Sequence, residues 1–420
     1  MNRRTTLSKC ACMVTVAIVA VACSSSTEGS VDSTESTPSV SLSESSPTTS
    51  AAEPPPEFTP VLGRVLEAPE PVLATDSKTH LVYELVLTNV LAQPVTLESV
   101  EVRSDGDSLL TLDAAELPAW LRVLGSATPG TVLGPGQSGI VWVDVAFDDP
   151  AQVPGSLRHV VTATPENAAP PLVPTTLTED IAYTDVPDSS PVVISPPLRG
   201  SGWLDGNGCC AVTPHRGAVN PIGGGLFAAE RFAIDYVQLN QDGKMFDGPA
   251  NVLESYAYFG DEIHAVGDGP VVAVVDGLPE QTAGTSPVGL PVDQYGGNHV
   301  VQDLGGGHYA FYAHLKTGST SDVAVGDELK TGTKVGLLGN SGNTDAPHLH
   351  FHVMDGPDPL HANGIPFVFD SFELTSKLAG EEALDQLVST GGPAAMDPTF
   401  TSADRSEQLP LTFDVMTYNE

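Results

Sequence analysis

Gly339-Asn340-Ser341-Gly342-Asn343-Thr344-Asp345-Ala346-Pro347-His348-Leu349-His350-Phe351-His352-Val353 changes character halfway along. Its first half is turn material, and its second half alternates imidazole with apolar. A strand points successive side chains to opposite faces, so His348, His350 and His352 share one face while Leu349, Phe351 and Val353 enter a core. Histidine is the commonest metal ligand among side chains, and an i, i+2 pair at a strand start aims two rings at one point. The competing reading is a solvated sheet face that happens to be rich in histidine.

The rest of the chain is in keeping with strands. Across 420 residues, 41 Gly and 36 Pro accompany recurrent valine-rich alternating runs and only 17% charged residues, the composition of an all-β protein with many turns. That length holds two ordinary domains with extensions. Asp and Glu outnumber Lys and Arg 53 to 17, for a formal charge of −36, which argues against a nucleic-acid or anionic-membrane surface. Cys10, Cys12 and Cys23 are N-terminal, which leaves Cys209 and Cys210 for the folded part and no disulfide framework.

In chain order, Arg3, Arg4 and Lys9 precede the apolar run Ala11 to Ala22, too short to span a bilayer and laid out like an export signal. Its ending, Val19-Ala20-Val21-Ala22-Cys23, resembles a bacterial lipoprotein signal. That resemblance makes residues 1–23 a signal peptide ending at a lipidated Cys23. The chain is then exported and held by its acyl groups on a membrane of the cell envelope, at the periplasmic or extracellular face. A plain signal peptide, cut nearby, is the alternative. Residues 24–57 are Ser, Thr, Glu and Pro with almost nothing to bury, and read as a disordered tether. Residues 58–197 alternate in short runs: Leu81, Tyr83, Leu85 and Leu87 on one strand, Val95, Leu97, Val100 and Val102 on another, Ile140 to Phe147 on a third. Turns between them suggest an immunoglobulin-like β-sandwich, with no ligand expected. Its lone histidines, His80 and His159, read as packed or solvated.

Two more stretches carry chemistry. In Arg231-Phe232-Ala233-Ile234-Asp235-Tyr236-Val237, read as a strand, a carboxylate interrupts an apolar run. A buried charge needs a partner; a metal is one, and an ion pair with Arg231 on the same strand face is another. In His308-Tyr309-Ala310-Phe311-Tyr312-Ala313-His314-Leu315, alternation puts His308, Ala310, Tyr312 and His314 on one face.

Asp235, Tyr312-Ala313-His314-Leu315, the segment from Val325-Gly326-Asp327 to Gly342, and Pro347-His348-Leu349-His350-Phe351 fall in an order that resembles the M23 (lysostaphin/LytM-type) zinc metallopeptidases. The resemblance covers roughly 200–375 and implies an antiparallel β-sheet peptidase domain there, with 376–420 as a C-terminal extension. It further implies Zn2+ bound by Asp235 and His350, His314 and His348 flanking a zinc-bound water, and cleavage of peptide cross-links in peptidoglycan. One ligand is absent from its usual place. The family carries His four residues before the aspartate, where this chain has Arg231, and an arginine cannot lose a proton to bind a metal. His215, in Thr213-Pro214-His215-Arg216, is the best substitute, brought beside Asp235 across a strand pair by the Gly-rich connection 217–225. An exposed loop histidine is the other reading of it.

Adjacent Cys209 and Cys210 suit a vicinal disulfide or two plain thiols better than a metal site. His352 is read as support for the ligand pair or as exposed, and His264, His299, His308 and His361 are left without a role. Two readings compete with the enzyme. One is a non-catalytic domain of the same fold that binds cell wall or activates a cell-wall amidase, Arg231 filling the metal site against Asp235; the other is an adhesin built on the sandwich.

Overall fold

The computed structural model describes residues 57–419. The signal peptide, Cys23 and all but the last residue of the tether lie outside the described residues. From Thr59 onward the chain forms one compact unit made largely of strands. Among the described residues no helix is long and apolar enough to cross a membrane.

The first part is two sheets around one core. One runs in the order Val61–Val65, Thr79–Asn89, Ser138–Phe147, Leu121–Val123; the other runs Leu177–Asp185, Ser156–Pro165, Val95–Ser104, Asp107–Leu112. Leu81, Tyr83, Leu85 and Leu87 point inward as their alternation requires, meeting Val95, Leu97, Val100 and Val102. The last four switch from odd to even numbers because the pairing with Ser156–Pro165 shifts between Leu97 and Ser99, an irregularity that restores the inward face.

What simple alternation does not anticipate is the other face of Thr79–Asn89. Val82 joins the core of the second part, and Val86, Ile140 and Trp142 pack with Val219 and Ala228. The strand is buried on both faces, and Glu84 between them is fully buried too. Burial of each such apolar side chain contributes about 1.5–3 kcal/mol, which helps offset the cost of taking the Glu84 charge out of water.

Ten strands form the second part's main sheet: Glu328–Leu329, Gly269–Val275, Asn298–Gly305, His308–Leu315, Leu349–Met354, Ile234–Gln238, Gly200–Gly206, Asp414–Tyr418, Phe372–Lys377 and Ala403–Arg405. The C-terminal strand is therefore no appendage, since Asp414–Tyr418 pairs with both Gly200–Gly206 and Phe372–Lys377. Before it comes the short helix Glu381–Thr390, which buries Ala383 and Leu387 and stops at Gly391 in the left-handed region. At the junction, Val192–Ile194 pairs in parallel with Phe367–Phe369, and Leu73 and Thr75 exchange backbone hydrogen bonds with Leu409.

Candidate metal centre

Three adjacent strands of the large sheet set the site. Asp235 lies directly opposite His350 across one antiparallel ladder, and Ala313 lies opposite His350 across the next. Leu349, Phe351 and Val353 enter the core, as the alternation requires. The imidazole face is not solvated: His350 is 6% exposed and His352 1%. That removes the reading of a histidine-rich outer surface.

His314 arrives by a different route from the one its spacing suggests. Tyr312 points into the core with its hydroxyl on Gln302, and strict alternation puts His314 on the same side. The register slips by one between Val300–Tyr312 and Asn298–Leu315, and His314 has φ of 60°. A non-glycine residue in the left-handed region is costly and persists where the surroundings fix it. Here the fixing is a backbone amide bond from His314 to Gly296 and a 2.8 Å hydrogen bond from its Nδ1 to the Ser341 carbonyl. The carbonyl is in reach because Gly297 and the Ser341-Gly342 turn meet backbone to backbone; a Cβ on Gly342 would stand 2.3 Å from the Gly297 nitrogen. The ring ends 4.6 Å, centre to centre, from His348.

His215 reaches Asp235, but not from a neighbouring strand. The strands beside Asp235 are Gly200–Gly206 and Leu349–Met354, and His215 sits on the single helical turn Pro214–Gly217. Thr213 caps that turn, its hydroxyl accepting from the Arg216 amide and donating to the Asn207 carbonyl. The intervening segment contains the disulfide Cys209–Cys210.

A carbonyl oxygen can only accept, so a ring nitrogen facing one carries the proton. His215 Nδ1 donates to the Ala233 carbonyl at 3.0 Å and His348 Nδ1 to the Ala346 carbonyl at 2.8 Å. Their Nε2 atoms then face Asp235, at 3.1 and 3.3 Å. His350 is reversed: its Nδ1 lies 3.0 Å from Asp235 Oδ1, and its Nε2 lies 3.0 Å from His352 Nδ1. One oxygen of Asp235 also accepts from Asn207 Nδ2 at 2.8 Å. Several acceptor atoms thus face a carboxylate, an arrangement that needs a proton or a metal cation between them.

His215, Asp235 and His350 offer ligand atoms all within 4.8 Å of one another. Two imidazoles and a carboxylate with room for a further ligand make a common zinc donor set, and tetrahedral bonds of about 2.0–2.1 Å separate ligand atoms by about 3.3–3.4 Å. The 3.0–3.1 Å spacings from Asp235 to His215 and His350 are close to that, so the residues fit the ion. The electrostatics show the same demand for positive charge at the carboxylate. Burial opposes charge on Asp235, but His215 and His348 outweigh it and hold the carboxyl well below its ordinary range. Burial lowers His215, yet Asp235 lifts it to about 9. His314 is kept well below its usual value, first by burial and then by His348 and His350.

Arg231 does not pair with Asp235. Its Nε donates to both Glu84 oxygens, at 2.9 and 3.1 Å, and its Nη1 to the Gly364 carbonyl. The strand starts at Ile234 rather than Arg231, because residues 228–233 form turns that send the arginine away from the histidines. Sequence reasoning missed Asn207 and Glu84 as neighbours of the site. Glu84 left a signal, as the one charge in the continuous apolar run Leu81 to Leu87, where a strand buried on both faces is expected. His361 pairs with Asp358 and His299 donates to the Gly297 carbonyl, and neither belongs to the cluster.

Residues 254–362 match the model of peptidase family M23. Peptidoglycan DD-endopeptidase ShyA of Vibrio cholerae serotype O1 is 30% identical over 126 residues, 29% of this chain and 29% of that protein, so the chain spans under a third of that relative. Among solved structures, the catalytic domain of lysostaphin from Staphylococcus simulans is 21% identical, covering 40% of this chain and 88% of that one at a TM-score of 0.22. A zinc containing peptidase from Vibrio cholerae is 14% identical, covering 68% and 82% at a TM-score of 0.22. The match takes in His314, His348, His350 and His352 but not His215 or Asp235. It is through residues 254–362, which carry these four histidines, that the chain is similar to peptidase family M23.

Proposed function

We propose that this chain is a zinc-dependent endopeptidase that cuts peptide cross-links of peptidoglycan, with His215, Asp235 and His350 as metal ligands and His314 and His348 as the flanking pair. The observation that carries it is the convergence of His215 Nε2 and His350 Nδ1 on Asp235, each ring held from behind through its other nitrogen. A bound zinc ion supplies Lewis acidity and makes water acidic enough to ionise near neutrality.

The chain's own groups do the rest. Asp235 keeps the histidine lone pairs aimed at one point. His314 and His348 are tied through Nδ1 to backbone carbonyls, so Nε2 is the atom on each ring that can exchange a proton with substrate. A proton taken from attacking water by one of these atoms can be returned to the leaving amine by the pair, and either ring can hydrogen-bond the developing oxyanion. The substrate class is supported by the peptidoglycan activity that the Vibrio relative's name records.

The non-catalytic reading rested on Arg231 occupying Asp235, and Arg231 is committed to Glu84. The division at 197–200 into sandwich and peptidase belongs to this proposal as well, and the strand order of the two sheets supports the immunoglobulin-like label. So does an envelope location, with Cys23 as the lipid anchor; Cys23→Ala is expected to move the protein from the membrane to the soluble fraction. The central test is metal content together with digestion of purified muropeptides. One zinc per chain and conversion of cross-linked dimers to monomers are expected; a metal-free protein that stays inert with added zinc overturns the proposal.

A further inference from the structure

Glu84 belongs to the sandwich, yet both of its oxygens are spent on the second domain. Its side chain is fully buried, receives Arg216 Nη1 at 3.1 Å and Arg231 Nε at 2.9 Å, and binds Arg231 a second time through Nη2. Each arginine is also tied to a carbonyl: Arg216 to Val143 of the sandwich, Arg231 to Gly364. The two arginines occupy telling positions. Arg216 follows His215 on the same helical turn, and Arg231 lies two residues ahead of Ala233, whose carbonyl fixes the His215 ring. Glu84 thus grips the chain beside both ends of the hydrogen bond that turns His215 Nε2 toward Asp235. A second grip comes from the same sandwich, since Arg122 donates to the Gly217 carbonyl at 2.9 Å and lies over Trp142.

Resting on the metal-site reading above, we infer that Glu84 is a positioning residue for the metal centre, and that the sandwich completes a site whose first ligand comes from a short turn instead of from the Asp235 strand. A histidine within the Asp235 strand would be aimed by the sheet itself. One carried on a four-residue turn needs its backbone held from outside, and the Arg216–Glu84–Arg231 triad holds it.

The test uses the full chain with Glu84→Gln, which keeps the size and removes the charge. Zinc affinity is read by competition with a chromophoric chelator, and coordination by the visible spectrum of the cobalt(II) form. We expect binding weakened about 10–100-fold, the usual effect of losing support behind a ligand, and an altered cobalt spectrum, with near-UV circular dichroism like the parent's. Where Glu84→Gln does not fold, the triple change Glu84→Leu, Arg216→Met, Arg231→Met removes the three charges together, a replacement that buried triads tolerate. Methionine offers no directed bond, so the same loss of affinity is expected. A folded variant with a lower melting temperature but unchanged affinity and spectrum makes the triad mere glue between domains and overturns the inference alone. A parent chain that binds neither ion, or a His215→Ala chain that binds as the parent does, removes the metal reading and this inference with it.

Discussion

Buried histidines occur in both halves of this molecule, and what faces their second nitrogen separates them. In the sandwich, His159 donates from Nδ1 to the Ala182 carbonyl and accepts at Nε2 from the Tyr83 hydroxyl; burial pushes it down to about 4, neutral and satisfied at both atoms. His80 is satisfied differently, as a cation between Asp144 and Asp76. On the large sheet, His215 and His348 begin as His159 does, with a carbonyl behind Nδ1, but their other nitrogens meet a carboxylate that cannot donate. Burial alone is therefore no mark of function. Several rings, each fixed from behind and all converging on one carboxylate, are.

The contrast breaks most visibly at His350. Changing it to Ala is expected to remove stoichiometric zinc and all measurable muropeptide cleavage, whereas His159→Gln, in the sandwich, should leave both intact. Metal content and product chromatography on the two proteins decide it; retention of zinc by the His350 variant would sink the ligand assignment. Next in size is His314→Ala. Removal of a proton-transferring group costs about 10²–10⁴-fold in kcat, and because His314 is not a ligand in this scheme, zinc should remain bound. Loss of zinc together with activity would make it a ligand instead.

Much of this contrast could be read from residue order, and what could not has definite causes. The alternation of His348 to Val353 gave face, neighbours and chemistry at once, because a strand of strict period has no freedom to do otherwise. His314 was legible as a residue but its route was not, because one irregular pair in the ladder changes its side and nothing in Ala313-His314-Leu315 announces that. The partner of Arg231 lies 147 residues away on another sheet, so an ion pair with nearby Asp235 was the natural local guess. The proposed ligand His215 was legible as a residue but not as a route: the helical turn and its cap had to be seen in place.

A smaller effect sharpens the sandwich side. Burial works against the His80 cation, but hydrogen bonds to Asp144 and Asp76 raise it to about 9. A base whose folded value lies above the unfolded one, about 6.5, stabilises fully below pH about 6.5 and loses that contribution as pH rises through 9. The shift is worth roughly 3 kcal/mol. Urea unfolding of the parent and of His80→Asn should differ most near pH 6 and converge above pH 9.5. An unchanged gap would mean that His80 contributes by packing rather than by charge.

The finest distinction concerns His352, which belongs to the site face but touches no other member of the donor set than His350. If His350 Nδ1 is a ligand, the proton must sit on its Nε2, and His352 Nδ1, 3.0 Å away, is the atom that accepts it. Then His352 carries its own proton on Nε2, which is buried and has no hydrogen-bond partner among the described residues. A buried donor without a partner costs about 1–3 kcal/mol, so the protein tolerates a penalty at His352 to fix the ring of His350. His352→Phe keeps an aromatic ring beside Phe311 but removes the acceptor, and zinc affinity should fall about 10-fold or more. His352→Asn, whose amide oxygen can take the place of Nδ1, should recover most of it. Equal affinity in the Phe and Asn variants would show that His352 only fills space, and the orphaned nitrogen would then have no link to the metal.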